Sequence, residues 1–321
     1  MTIPIQNQAG VTPRPGRKSD FMKRLRLHRQ MYLFLLLPLI YLAVFKYWPM
    51  LGVQIAFRRF NPTKGIWRSE WVGFANFVKF FNSYQFYRVL ANTLRISLYS
   101  LIAGFPIPIL FALALNSLRS ERYKKFIQNV TYMPHFISTV VIVGMLIQLF
   151  NTRTGIFGTL YTFLTGSDAP DLLANPDAFP HMYVWSGIWK GTGWGSIIYI
   201  AALSNVDIQQ HEAALIDGAS RFQRVLHIDL PAIIPTITIM LILRCGDIMS
   251  VGFEKTFLMQ NNLNLRTSEV ISTYVYKVGL SAGGGDFSYA AAIGLFNSVV
   301  NMILLTIVNW TSRRINNTSL W

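Results

Sequence analysis

Four ionisable residues within otherwise strongly apolar stretches of the chain are candidates for a functional role. They are Arg95, Lys190, Arg244 and Asp247. A charge at the middle of a bilayer costs about 2.5 to 3.5 kcal/mol even on the milder insertion scale, so ionisable residues inside apolar runs are functional candidates. They offer recognition of charged or hydroxylated groups rather than bond-breaking chemistry, and we assign no catalytic residue to this chain.

Each of these four residues also has a purely structural interpretation. Arg244 and Asp247 are three positions apart and share one face of a helix, so they either form an internal ion pair or line a pathway. Arg95 and Lys190 lie nearer the outer halves of their helices, where a long side chain can extend to the interface. We predict Arg95, Lys190, Arg244 and Asp247 as pathway residues, with these alternatives open.

Aromatic residues on one apolar run supply a second kind of recognition surface. Tyr183, Trp185, Trp189 and Trp194 present ring faces of the type that sugars require. The alternative is an aromatic belt at the membrane interface. We include Trp194 among the predicted pathway residues.

The elements that position these residues follow from composition and hydropathy. Apolar residues make up 52% of the chain and charged residues only 13%, a profile typical of a polytopic membrane protein. Apolar runs long enough to cross the bilayer predict six spans. They cover about residues 31–51, 89–115, 130–150, 181–203, 236–251 and 289–310.

Basic residues predict the orientation of these spans. Residues 1–29 carry seven Lys and Arg residues without a signal-peptide core, which indicates a cytoplasmic tail before the first span. The segments predicted inside contain more Lys and Arg than those predicted outside, although the first outer loop, residues 52–88, is also basic. That loop includes VGFANFVKFF, which predicts a short amphipathic helix. Both termini are therefore expected in the cytoplasm.

Several classes of function do not fit this composition. The net charge of +15 is spread over loops without a nucleic-acid recognition motif, so we expect no nucleic-acid partner. The five histidines lack metal-ligand spacing, and we predict no metal site. No Gly-Lys dipeptide exists for a phosphate-binding loop, so any ATP must be hydrolysed by another subunit. The single cysteine, Cys245, forms no internal disulfide.

The polar segment from Asn205 to Pro235 lies between two apolar runs. Its first half favours helix, Gly218 stands at the expected C-terminal cap, and Ser220 is suited to begin a second short helix. We expect Pro231 and Pro235 to stop or kink that second helix. The segment predicts a helix, a glycine bend and a helix at the end of the bundle.

The same segment resembles the EAA loop of ABC importer permeases. Glu212-Ala213-Ala214, then Gly218, then Ile228-Asp229-Leu230-Pro231 match that pattern at every position. The resemblance implies that this loop docks on a cytoplasmic ATPase subunit and passes its motion to the membrane helices. The implied docking residues are Glu212, Ala213, Ala214, Asp217, Gly218, Ala219 and Phe222.

Other segments narrow the resemblance to one branch of these permeases. YMPHFIS, SEVISTYVYKVGL and AAIGLFNSVVN are similar to the carbohydrate-uptake branch, which includes the bacterial alginate importer. The implied fold is an all-α integral membrane protein, a type I bundle of six transmembrane helices with a cytoplasmic coupling-helix loop. We expect a cytoplasmic tail at residues 1–29, a permease domain at 30–314 with its coupling loop at 205–235, and a cytoplasmic tail at 315–321.

The resemblance also implies what surrounds this chain. The expected partners in the bacterial inner membrane are a second permease, two cytoplasmic ATPase subunits, an extracytoplasmic solute-binding protein, lipid and an oligosaccharide. The chain itself needs no cofactor, because ATP and Mg belong to the ATPase subunits. Three cationic pathway candidates against one carboxylate favour an acidic, alginate-like substrate over a neutral oligosaccharide.

Two other classes of membrane protein remain as alternatives. A secondary transporter needs an intramembrane acidic relay, for which Asp247 alone is weak support. An intramembrane protease needs a defined serine motif, and Ser186-Gly187 lacks the usual glycine two residues before the serine.

Overall fold

The computed structural model describes residues 27–281 and 285–316 and divides the chain into two compact units, Met1–Gln54 and Ile55–Trp321. The first unit contains helix α1, Arg29–Leu42, which continues through a π-helical turn, Ala43–Tyr47, into a short helix, Trp48–Met50. All the side chains of residues 29–50 are exposed, as expected of a helix whose surroundings are lipid or partner chains. Most of the predicted N-terminal tail falls outside the described residues.

The second unit is almost entirely helical. Its one sheet within the described residues is a two-stranded antiparallel ladder, β1 (Arg58–Arg59) and β2 (Glu70–Trp71), in which Arg58 is paired with Trp71. Short helical turns occupy Gly65–Arg68, Arg221–Arg224 and Leu265–Ser268. The longer helices are α2 (Ala75–Phe81), α3 (Tyr84–Gly104), α4 (Pro106–Asn116), α5 (Glu121–Tyr132), α6 (Thr139–Leu149), α7 (Ile156–Thr165), α8 (Phe179–Leu203), α9 (Ile208–Ile216), α10 (Leu230–Gly246), α11 (Phe253–Met259), α12 (Ile271–Tyr276) and α13 (Phe287–Asn316).

Helix α8 is the centre of this bundle. It packs against α3, α4, α5 and α10. Small residues make this possible: a Cβ on Gly193 would lie 2.2 Å from the backbone oxygen of Thr131 on α5. The backbone of α5 thus lies directly against Gly193, whereas a Cβ on Gly191 would meet no atom within 4 Å.

Four helical segments within the described residues are long and apolar enough to cross a membrane, or five if one sharply bent pair counts as a span. They are Arg29–Phe57, Tyr84–Asn116, Arg221–Gly246 and Phe287–Arg314, with the bent pair Glu121–Phe136 and Thr139–Leu149. Helix α8 is 25 residues long but is not in this set. The helical membrane class is confirmed, and the count of six spans stays a prediction.

Two predicted spans differ from the structure. The third, residues 130–150, is not one helix, because the chain bends by 97° between Phe136 and Thr139. A 3-10 turn with Pro134 and the extended residues Ile137 and Ser138 produce this bend, and Ser138 then caps α6 through the amide of Val141. Local hydropathy contains no signal for such a break.

The fifth predicted span, residues 236–251, begins too late. The helix runs from Arg221 to Gly246 and passes through both Pro231 and Pro235, so of the two expected effects, a stop or a kink, the stop does not occur. A π-helical turn, Val225–Asp229, directly precedes Pro231. The wider turn accommodates a proline that donates no amide hydrogen, which keeps the helix continuous.

Polar side chains fasten the segment between α11 and α12 to the bundle. The carboxylate of Glu269 is buried and forms ion pairs with Arg88 on α3 and with Lys277, whose Nζ is 3.4 Å from Oε1. Asn92 donates to the backbone oxygen of Glu269 at 3.0 Å. Helix α12 and a π-helical turn, Lys277–Ser281, precede the glycine run, and residues 282–284 lie outside the described residues.

Candidate functional site

The loop between α8 and α10 folds as the sequence predicts. Helix α9 begins at Asp207, whose side chain accepts a hydrogen bond from the amide of Gln209 at 2.9 Å. Gly218 has φ +78°, the left-handed conformation that glycine adopts without strain. Ser220 and Gln223 then form a reciprocal capping box that begins the next helix. Local hydrogen bonds therefore hold both sides of the glycine bend.

The surface of this loop is apolar at its tip. Ile216 is 87% exposed and Phe222 is 74% exposed, and Leu215 in the last turn of α9 is also exposed. Large apolar side chains grouped on a surface mark a contact with another protein or with the membrane. Ile216 and Leu215 were absent from the predicted docking residues, although their apolar character in a polar loop was a usable signal.

The predicted docking residues share the same surface. Glu212, Ala213, Asp217 and Gly218 are exposed, and Ala214 and Ala219 are partly exposed. The Glu212 carboxylate forms no ion pair or hydrogen bond within the part of the chain that the structure describes. It is thus available to a cationic group of a partner, and the docking role stays a prediction.

A cavity of about 530 Å³ opens between α3, α4, α8 and α10. Its walls include Ser97 and Ser100 from α3, Pro108 from α4, and the glycine-rich face of α8. Its volume is in the range of sites that hold small ligands. Three predicted pathway residues line it: Trp194, Arg244 and Asp247.

Arg244 and Asp247 do not form an ion pair. Neither side chain has a hydrogen-bond or ion-pair partner among the described residues, and both are exposed to the cavity. The interpretation of these two residues as an internal lock is therefore wrong. The helix ends at Gly246, so Asp247 leaves the face that it would share with Arg244 in a continuous helix.

Lys255 is a cavity residue that the sequence did not indicate. It lies on α11, outside the apolar helices, and its Nζ donates to the backbone oxygen of Tyr183 at 2.6 Å and lies 4.5 Å from the centre of the Tyr183 ring. Burial, and then repulsion by Lys190, lower the pKa of Lys255 to about 8. Only tertiary folding brings α11 to the cavity, so a scan of apolar runs could not find it.

The aromatic candidates divide between two sites. Trp194 lines the cavity and stacks on His135, with ring centres 4.5 Å apart and planes 2° from parallel. Tyr183 lines the same cavity, and its hydroxyl accepts from the amide of Gly252 at 3.1 Å. Trp185 and Trp189 instead line a second, apolar cavity of about 580 Å³ next to α6.

Arg95 and Lys190 do not line the cavity. Arg95 is exposed and precedes Ile96, a cavity residue, whereas Lys190 is close enough to Lys255 to lower its pKa. Their part in a pathway stays a prediction.

These features define a class: a helical, polytopic membrane protein with a cavity in its bundle, lined in part by charged side chains, and a surface loop that exposes apolar side chains. The sequence matches the model of the binding-protein-dependent transport system inner membrane component family over residues 104–317, and the chain belongs to that family. It is therefore an integral membrane protein of transport systems, which contradicts the protease and secondary-transporter alternatives.

Relatives of known name extend the likeness to nearly the whole chain. Protein LplB of Bacillus subtilis (strain 168) is 42% identical over 320 residues, covering 100% of this chain and 99% of LplB. The polygalacturonan/rhamnogalacturonan transport system permease protein YteP of the same organism is 41% identical over 301 residues, covering 92% of this chain and 93% of YteP.

A solved structure is also similar to this chain over nearly its whole length. A chain of a bacterial ABC transporter involved in the import of the acidic polysaccharide alginate has 38% sequence identity and a TM-score of 0.85, covering 92% of this chain and 99% of its own length. The predicted type I permease fold and the predicted resemblance to carbohydrate-uptake permeases are confirmed.

Proposed function

We propose that this chain is a membrane subunit of an ATP-driven importer of acidic oligosaccharides. The observation that carries the proposal is the cavity with Arg244 and Lys255 in its wall and Asp247 as the one carboxylate among the described lining residues. Arg244 has no protein partner among the described residues, so its five N–H donors are available to a ligand. A guanidinium binds a carboxylate through two parallel hydrogen bonds, which makes a uronate its natural partner.

The names of the relatives support the acidic substrate. YteP is named for transport of polygalacturonan and rhamnogalacturonan, and the transporter of known structure imports alginate. Both names describe polymers that contain uronic acids. Because their chains are 41% and 38% identical to this one, a related saccharide is the expected cargo here.

A neutral oligosaccharide is the second candidate. The ring of Trp194, held by its stacking contact with His135, offers an apolar face to any pyranose, and Asp247 can accept hydrogen bonds from hydroxyl groups. A permease named for arabinooligosaccharides in Bacillus subtilis (strain 168) is also similar, at 29% identity. These features do not require a charged ligand.

The proposed complex contains a second permease, two ATPase subunits in the cytoplasm and a solute-binding protein outside the inner membrane. A related importer structure includes a periplasmic protein that carries an alginate pentasaccharide. This chain hydrolyses no ATP in the proposal: the loop of α9 and Gly218 receives the motion of an ATPase subunit, and both termini face the cytoplasm.

Reconstitution of the complex in liposomes tests the substrate directly. ATP hydrolysis is measured in the presence of the binding protein and one saccharide at a time. The panel contains uronate oligomers and neutral oligomers of the same lengths. We expect stimulation by uronate oligomers and little by neutral ones. Stimulation by the neutral oligomers alone would establish the second candidate, and stimulation by neither would contradict saccharide import.

A further inference from the structure

Helix α9 is joined to the bundle by a single polar link among the described residues. His211 on α9 places Nε2 3.2 Å from Oδ1 of Asp229. No other side chain of α9 forms an ion pair or hydrogen bond with a different helix in the described part of the chain. A force applied to α9 can therefore reach the membrane helices through one polar contact among the described residues, that between His211 and Asp229.

Asp229 is placed to distribute such a force. It is 3% exposed, and a buried carboxylate is costly unless its oxygens have partners. Besides His211, the amide Nδ2 of Asn116 donates to the same Oδ1 at 3.3 Å. Asn116 is the last residue of α4, and Asp229 is the last residue of the π-helical turn that leads into α10.

One carboxylate thus joins three elements. Helix α4 contributes Pro108 to the cavity wall, and α10 contributes Arg244. Because both helices begin or end at this junction, a displacement of α9 that moves Asp229 also reaches two walls of the cavity. None of the three residues belongs to the predicted docking set.

We propose that His211, Asp229 and Asn116 form a junction that transmits movement of α9 to α4 and α10. The inference rests on the proposed function, since it assigns the residues through which that transport is driven. Asp229 and His211 are positioning residues: they contact neither the saccharide nor ATP.

The test uses the complete complex in liposomes and compares three variants. His211→Ala should retain the ATPase subunits and ATP hydrolysis but lower saccharide import per ATP by about tenfold, a usual size for coupling between sites. His211→Gln keeps an N–H near the position of Nε2 and should restore most of the import. His227→Ala is the matched control, because His227 is exposed and, among the described residues, its ring hydrogen-bonds only to the backbone oxygen of Gln223, at 2.9 Å.

Two further comparisons separate transmission from simple stability. Asp229→Asn combined with His211→Ala should lower import no further than His211→Ala alone, since the link to His211 is already lost and an amide oxygen at position 229 still accepts from Asn116. Spin labels at Gln210 and Leu118 should show one narrow distance in the native complex and in His211→Gln, and a broad distribution in His211→Ala. That readout needs no saccharide.

The outcomes are distinct. Native import per ATP in His211→Ala, or equally narrow label distances in all variants, would overturn the junction. Loss of the ATPase subunits from His211→Ala would also overturn it, because the role would then be assembly. A native complex that imports no saccharide but shows the expected label distances would contradict the proposed function and support the junction.

Discussion

Replacement of Gly218 by valine should abolish coupled import while the complex still inserts in the membrane. Gly218 has φ +78°, and a Cβ at this position would meet no atom within 4 Å. The obstacle is therefore conformational and not steric. A β-branched residue in this region costs about 1 to 3 kcal/mol, which the chain can avoid by changing the angle between α9 and the following helix.

The matched control is Gly218→Asn. Asparagine enters the left-handed region more easily than other residues with a side chain, so this variant should keep most of the import. Affinity capture of the ATPase subunit and import per ATP measure the two consequences separately. Equal import by the valine and asparagine variants would show that the bend does not matter for coupling.

Replacement of Arg244 by glutamine should selectively reduce transport of acidic saccharides. A hydrogen bond to a charged group contributes about 1.5 to 3 kcal/mol, so losing this contact should lower transport efficiency for uronate oligomers by roughly tenfold to a hundredfold. Arg244 is exposed and has no ion-pair or hydrogen-bond partner within the described residues, so folding should be unaffected. Import kinetics with acidic and neutral oligomers provide the measurement.

Arg122→Gln is the control for this substitution. It removes the same charge from an exposed residue that does not line the cavity. We expect it to leave transport of acidic oligomers within about twofold of the native rate, as is usual for surface changes. Equal losses in both variants would indicate a general effect of charge on the membrane surface instead of a binding contact.

Local features of the site could be predicted from the sequence, whereas contacts between distant segments could not. The positive φ of Gly218 and the cap at Ser220 depend on a few neighbouring residues, and both are confirmed. Trp194 and Arg244 were recognisable because each is unusual in its apolar run. In contrast, Lys255 and His135 reach the cavity only because other helices carry them there.

The incorrect predictions about the fold arise for the same reason, because they depend on structure that the local residues do not determine. The bend between Phe136 and Thr139 interrupts a run whose mean hydropathy is that of one span, so hydropathy alone joins the two halves. Pro231 and Pro235 were expected to stop or kink a helix, and the π-helical turn that lets the helix continue was not visible in the residue types. The burial of Asp229 likewise depends on His211 and Asn116, which lie far apart in the sequence.

Photochemical cross-linking from the loop tests the central claim most directly. A benzophenone amino acid at Ile216, which is 87% exposed, should form a covalent adduct with an ATPase subunit in the native membrane. The same probe at Phe163 on α7, which is 84% exposed and predicted to lie outside, should form none. An ATPase adduct from Phe163, or its absence from Ile216 in an actively importing complex, would contradict this account of the chain.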